Sequence, residues 1–224
     1  MSTTATKDED PRPALSRQRV VRAAIQHADS AGLDGLTMRN LAGILQVSPM
    51  SLYRHVSNRD DLVDAMIDVL FSEIALPLGS AHWRTAMRDR ALSLRDVLAR
   101  HQWAIGLMES RRRPGPANLR HHDAVIGKLR SAGFDLEAVA HAYSVLDGYI
   151  YGFALTRMTL PFDTTEEMTA MAQDMFEPFP VNDYPNLAEF VADHVMKPGY
   201  DYREEFEYGL DLILNGLEAA RAGQ

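Results

Sequence analysis

Apolar residues recur at helical spacing from residue 16 almost to the C-terminus, and no stretch alternates with the two-residue period of a strand, so an all-α chain is expected. Val21, Ala24, Ile25 and Ala28 define a first helix from about Ser16 to Ala31, ended by Gly32. Leu36 to Val56 predicts two short helices about a tight turn. Thr37 caps the first, whose Leu41, Ala42 and Leu45 share a face, and Gln46 and Val47 make the turn. Ser48 is expected to cap the second, with Pro49 at its first position, where the missing N–H costs nothing. Leu52 and Val56, four apart, face inward, which leaves Met50, Ser51, Tyr53, Arg54 and His55 outward.

A fourth helix begins at Ser57 or Asn58, with Asp60 or Asp61 as a capping partner. Its apolar stripe of Val63, Met66, Ile67, Leu70, Phe71 and Ile74 runs until Pro77 and Gly79 break it. Further helices are expected at about 81–100, with Trp83, Met87, Ala91, Leu94 and Leu98 on one side, and at about 117–132. Between them lie a short apolar piece, 101–108, and the run Arg111-Arg112-Arg113-Pro114-Gly115-Pro116, which reads as a solvated loop. Asp135 caps the longest helix, Leu136 to about Thr159. Gly148 and Gly152 sit inside it, each costing about 1 kcal/mol relative to Ala. Close approach of a partner helix, or room for a ligand, would offset that. Met168, Met171 and Met175 mark a short stripe, a short helix follows at about 186–195, and the last helix spans 203–221. Its apolar face is Phe206, Leu210, Ile213, Leu214 and Leu217.

Composition narrows the function. Zero Cys excludes disulfides and thiolate metal sites, and no apolar run is long enough to span a bilayer. With no signal-peptide pattern, a cytoplasmic protein with no membrane partner is expected. The net charge of −8 is unevenly spread: residues 11–59 carry seven Arg against Asp29 and Asp34, whereas residues 60–224 carry a net −11. A basic head on an acidic body orients a protein on a phosphate backbone. Arg12, Arg17 and Arg19 are candidates to reach flanking phosphates or a minor groove, beside the plainer reading of a solvated tail. The 36–56 layout is that of a helix-turn-helix, whose second helix enters the major groove.

Those residues, together with Gly32-Leu33-Asp34-Gly35, Leu52-Tyr53-Arg54-His55-Val56, Asn58-Arg59-Asp60-Asp61-Leu62 and the stretch from Phe206-Glu207-Tyr208-Gly209-Leu210 to Gly216-Leu217-Glu218, resemble the tetracycline-repressor (TetR) family. The resemblance implies a disordered tail (1–15), a three-helix DNA-binding head (16–60) and a ligand-binding and dimerisation body (61–224) with 61–76 as connector helix. It implies DNA contacts by Thr37, Arg39, Ser48, Pro49, Met50, Ser51, Tyr53, Arg54, His55 and Arg59. Met50 and Pro49 suit thymine methyls, and sparse Asn, Gln and Arg at the reading positions limit bidentate base contacts. It further implies a homodimer on a palindromic operator, joined through the longest and last helices at Gly148, Gly152, Phe206, Leu210, Ile213, Leu214 and Leu217. A small apolar or aromatic effector is expected among Trp83, Met87, Trp103, Met108, His122, Tyr143, Asp147 and Tyr151, releasing a repressor from DNA, with no catalysis, metal or cofactor. The family's tetracycline binders hold drug and magnesium with histidines; Ala75 and Glu109 stand in those places here, which argues against that inducer.

Two other readings compete. His121-His122-Asp123 resembles the His-Asp pair of metal phosphohydrolases, with His101 and Asp147 as further candidate ligands. Adjacent residues on a helix point about 100° apart, so both imidazoles cannot easily face one metal. The other is a DNA-organising dimer without a ligand, which predicts no pocket.

Overall fold

Four helix starts are set by side chains the sequence marks. Ser16 Oγ accepts from the N–H of Arg19 (3.2 Å), Thr37 Oγ1 from Asn40 (3.1 Å), Asn58 Oδ1 from Asp61 (2.9 Å) and Asp135 Oδ1 from Ala138 (2.7 Å). The computed structural model describes residues 14–79, 81–162, 164–176, 180, 182–197 and 199–222; Arg12 and most of the expected tail lie outside the described residues. Among the described residues the helices are α1 (Arg17–Ala31), α2 (Met38–Leu45), α3 (Pro49–Leu52), α4 (Arg59–Glu73), α5 (Trp83–Arg100), α6 (Pro116–Ser131), α7 (Leu136–Thr159), α8 (Thr165–Phe176), α9 (Pro185–Phe190) and α10 (Glu204–Ala222), with no strand. A 3₁₀ turn spans Gln102–Ala104, and α9 continues as a π-helical turn, Val191–Val195.

One detail departs from expectation and one refines it. Ser48 stands at the start of α3 without capping it; its Oγ lies 2.9 Å from that of Ser51. The α2–α3 turn is made by Gln46 in the left-handed region (φ 55°), a conformation taken here by a residue other than glycine.

Helices α1 to α3 close around Val20, Ala24, Leu36, Leu41, Leu52 and Val56, all essentially inaccessible to solvent. Every residue of the expected α4 stripe is buried, because α4 packs on both α1 and α6. This makes α4 part of both the head and the body core. In the body, α5, α6 and α10 pack against α7. Polar links reinforce α5 to α10: Arg88 bonds Asp211 (2.5 Å) and Glu207 (2.6 Å), and Arg84 donates to Asn215 (2.7 Å).

Candidate DNA interface and effector site

The outer face of α3 carries the expected readers. Met50 is 73% exposed and Tyr53 47%, Ser48, Pro49 and Arg54 are exposed, and Ser51 and His55 are half-buried. Thr37 and Arg39 are exposed at the start of α2. Inward-facing Leu52 and Val56 hold this short segment against the head core, so the readers need no long helix behind them.

Two arginines expected near phosphate also hold the head together. Arg59 donates from Nε to the carbonyl of Leu36 and from Nη2 to that of Leu33, both at 3.0 Å, tying the α1–α2 link to the start of α4. Arg17 grips the Asp61 carboxylate (2.6 and 3.2 Å) and donates to the carbonyl of His55 (2.6 Å). Asp61 in turn accepts from the N–H of Ser57 (2.7 Å). The Arg17 bond outweighs partial burial and holds the Asp61 carboxyl down at about 2. These contacts lock the head's helices to α4, so the reading face and the connector move together.

The expected effector residues divide into groups. Trp83 and Met87 are buried in the core; the Trp83 indole packs edge-on against Phe134 and donates to Glu218 of α10 (3.1 Å). Met108 is also buried, and Trp103 donates to Asp29 of α1 (2.7 Å), facing the head. His122, Tyr143, Asp147 and Tyr151 do come together, joined by His121 and Glu109, which the sequence singled out for other reasons, and by Arg90, which it did not single out. His122 Nδ1 contacts the Tyr143 hydroxyl, and Tyr151 donates to Glu109 (2.9 Å). Arg90, 2% exposed, pairs with Asp147 (2.6 Å), donates from Nε to His121 Nε2 (3.1 Å) and lies over the Tyr143 ring.

Burial pulls the Arg90 pKa down, but the facing Asp147 carboxylate more than compensates and holds it above its ordinary value. The same burial, and then the positive Arg90, push the His121 imidazole down to about 3. The network is incompletely satisfied: Asp147 Oδ1 is met by Arg90, but Asp147 Oδ2 and His121 Nδ1 are buried without a hydrogen-bond partner. Because His121 Nε2 accepts from Arg90, its Nδ1 carries the proton, so a ligand that offers an acceptor to Nδ1 and a donor to Asp147 Oδ2 would relieve the cost of these unmet groups. This arrangement also removes the hydrolase reading. His121 Nε2 already faces a guanidinium, and His122 turns instead to Tyr143 and Glu109.

The α10 face requires a correction. Phe206, Leu210 and Leu214 are 0% exposed inside their own chain's core, where a second chain cannot reach them, and Ile213 and Leu217 pack half-buried against that core. The outward apolar residues are Leu212, 56% exposed, and Tyr208 on α10, with Val145 and Leu155 on α7. Gly148 and Gly152 are exposed on α7, with no atom within 4 Å of where a side chain would begin.

A helix-turn-helix head with a basic, aromatic outer face, joined by one shared helix to an all-helical body, defines a DNA-binding regulator of transcription. The chain belongs to the TetR family: residues 76–221 match the family model described as "Tetracyclin repressor-like, C-terminal domain". Over 228 aligned positions it is 33% identical to the HTH-type transcriptional repressor DrrR1 of Streptomyces coeruleorubidus, covering 96% of this chain and 82% of that protein. It is 27% identical to the class C tetracycline repressor protein of Escherichia coli, covering 92% of each. Among solved structures, ActR of Streptomyces coelicolor in complex with actinorhodin superposes with a TM-score of 0.75 at 28% identity, covering 93% of this chain and 99% of that one. The findings support a ligand-responsive repressor and not a hydrolase.

Proposed function

We propose that this chain is a homodimeric repressor that leaves a palindromic operator when a small aromatic molecule bearing oxygen functions engages the Arg90–Asp147–His121 network. The observation that carries the reading is the buried ion pair with one unmet carboxylate oxygen and one unmet imidazole N–H beside it, on helices α5, α6 and α7. Release follows if the effector binds more tightly to the head arrangement that cannot fit DNA. Helix α6 touches the network through His121 and is fastened to α4, whose far end is locked to the head by Arg17 and Arg59. Two reading heads are needed because one short helix covers too few base pairs; a twofold dimer sets them about 34–36 Å apart. ActR, solved with actinorhodin bound, supports an aromatic effector class.

Selection from a random duplex library should return a palindrome bound with steep salt dependence. A panel of polycyclic aromatic molecules that includes actinorhodin should then contain one that releases it. The double variant Arg90→Met/Asp147→Leu replaces the buried pair by apolar side chains, a change often tolerated by folding. It should still bind the operator and lose the response. An unaltered response in that variant would place the effector elsewhere, and operator binding that no molecule relieves would favour a ligand-independent DNA-organising dimer.

A further inference from the structure

The loop that carries Arg111, Arg112 and Arg113 lies at the surface, yet its three arginines are not equivalent. Arg111 holds the loop down on the connector helix. Its Nε donates to Asp64 (2.5 Å) and its Nη2 to the carbonyl of Asp60 (3.4 Å), both near the start of α4. On the far side of Pro114, Asp68 of α4 accepts from the backbone N–H groups of Ala117 and Asn118. The stretch between these ties is thus carried on a fixed piece of backbone. Arg112 and Arg113 lie within it and are exposed, and among the described residues neither has an ion-pair or hydrogen-bond partner.

That pair stands on the head side of the body. It lines one cleft with Arg17 of α1 and with Ser57 and Asn58, the turn that leads from the reading segment into α4. The carboxylates of this wall are mostly engaged: Asp61 by Arg17, Asp64 by Arg111 and Asp68 by the start of α6. Asp60 is the exception, an exposed carboxylate with the Arg111 guanidinium at 3.9 Å. Residues 60–224 carry a net −11, so an exposed cation of the body has many carboxylates to turn to, and these two turn to none. Neighbouring guanidinium groups repel each other, and an anion shared between them offsets the repulsion. Arginine forks match phosphate oxygens, which a duplex entered by α3 presents on either side of its groove. From two unpaired guanidinium groups fixed beside the head, we propose that Arg112 and Arg113 form a phosphate contact made by the body, to operator backbone flanking the half-site that the same protomer reads.

This contact rests on the reading of α3 as the operator-binding segment and extends it to a second part of the chain. Its place also ties it to regulation. The loop runs directly into α6, the helix that carries His121, so a shift of α6 moves both arginines relative to the head. An effector that displaces α6 withdraws them from the backbone, and part of operator release is then the loss of these phosphates.

The test uses the full chain and the palindrome recovered by selection, in a long duplex and in one trimmed to the palindrome itself. Arg112→Gln/Arg113→Gln removes both charges, and Arg120→Gln/Lys197→Gln removes two exposed charges elsewhere on the body. Operator affinity is titrated at several salt concentrations. On the long duplex the loop variant should show a slope of log affinity against log salt smaller by about 1.8 per half-site, two phosphates at about 0.9 each. The control pair should keep the wild-type slope, and on the trimmed duplex wild type and loop variant should coincide. Melting temperature and selected palindrome should not change, because neither arginine packs in the core or reads a base. A wild-type slope in the loop variant would overturn the contact and leave the pair to an acidic protein partner. An equal fall in the control pair, or a difference that persists on the trimmed duplex, would overturn it as well. All three outcomes leave operator binding intact, whereas a wild-type chain that selects no palindrome would overturn the underlying reading instead.

Discussion

Gly115 and Asp68 are fitted to each other: a Cβ on Gly115 would fall within the Asp68 carboxylate. Asp68 Oδ1 accepts from the backbone N–H groups of Ala117 (2.8 Å) and Asn118 (3.0 Å). The first turn of α6 is therefore capped by a residue of the connector helix, because Gly115, at its own N-cap position, has no side chain to offer. Arg111 adds a second tie, donating to Asp64 of α4 (2.5 Å). A displacement of α6 is thus felt by α4 directly.

Substituting Gly115→Ala should evict Asp68 and cost about 1–3 kcal/mol, through overpacking and the loss of two hydrogen bonds. Gly127→Ala, on the open surface of the same helix, should instead stabilise by up to about 1 kcal/mol. Urea denaturation of both separates the contacts from glycine's backbone freedom. If the tie also transmits the signal, the Gly115→Ala variant should need more effector to leave its operator.

The two leucines at 212 and 214 should answer differently to the same change. Leu214→Arg places a charge in a site with no solvent access and should unfold the protein. Leu212→Arg alters only an outward side chain and should leave a folded monomer with little operator affinity. Sedimentation and circular dichroism distinguish the two; a Leu212→Arg protein that stays dimeric would remove this face of α10 from the interface.

Local features of this fold were legible in the sequence, and long-range choices were not. Thr37, Asn58 and Asp135 act within three residues of themselves, so their caps could be placed from spacing, whereas Ser16 was read only as the start of the first helix and proves to cap it. The α4 stripe was equally plain. On α10, by contrast, apolar residues occur on both sides, and nothing local says that Leu214 faces its own core while Leu212 faces away. Arg90 read as one more charged residue on α5, because Asp147 and His121, which make its burial tolerable, come from α7 and α6. Arg59 matched a phosphate contact by position, and its bonds to the carbonyls of Leu33 and Leu36, which join distant parts of the head, had no local signal.

That difference predicts how the head's arginines separate. Arg39→Ala and Arg54→Ala should each reduce the slope of log affinity against log salt by about 0.9, the loss of one phosphate contact, with stability unchanged. Arg17→Ala and Arg59→Ala should lower the melting temperature by loosening the head from α4. Operator titrations at several salt concentrations, paired with thermal melts, give both quantities; a normal melt and a reduced slope in Arg59→Ala would return it to the phosphate contacts.

Acid should destabilise the protein in two windows. In the unfolded chain a histidine titrates near 6.5, whereas His121, buried beside Arg90, holds off its proton down to about 3. Between those values the unfolded state binds a proton that the folded state refuses, so stability falls with falling pH, by up to about 1.4 kcal/mol per unit. The lower window belongs to Asp61. Its carboxyl lies at about 2 instead of 3.8 because Arg17 bonds it, so its contribution is present above 3.8 and lost as pH falls through about 2. His121→Asn, which keeps an acceptor for Arg90, should flatten the upper window relative to wild type and leave the lower one. Arg17→Leu should do the reverse. Urea midpoints measured from pH 7.5 down to the onset of acid unfolding test this, since other histidines contribute equally to wild type and variant and cancel in the difference. Parallel pH profiles for wild type and His121→Asn would mean that the folded protein protonates His121 as readily as the unfolded chain does, which a charged Arg90 at 3.1 Å opposes.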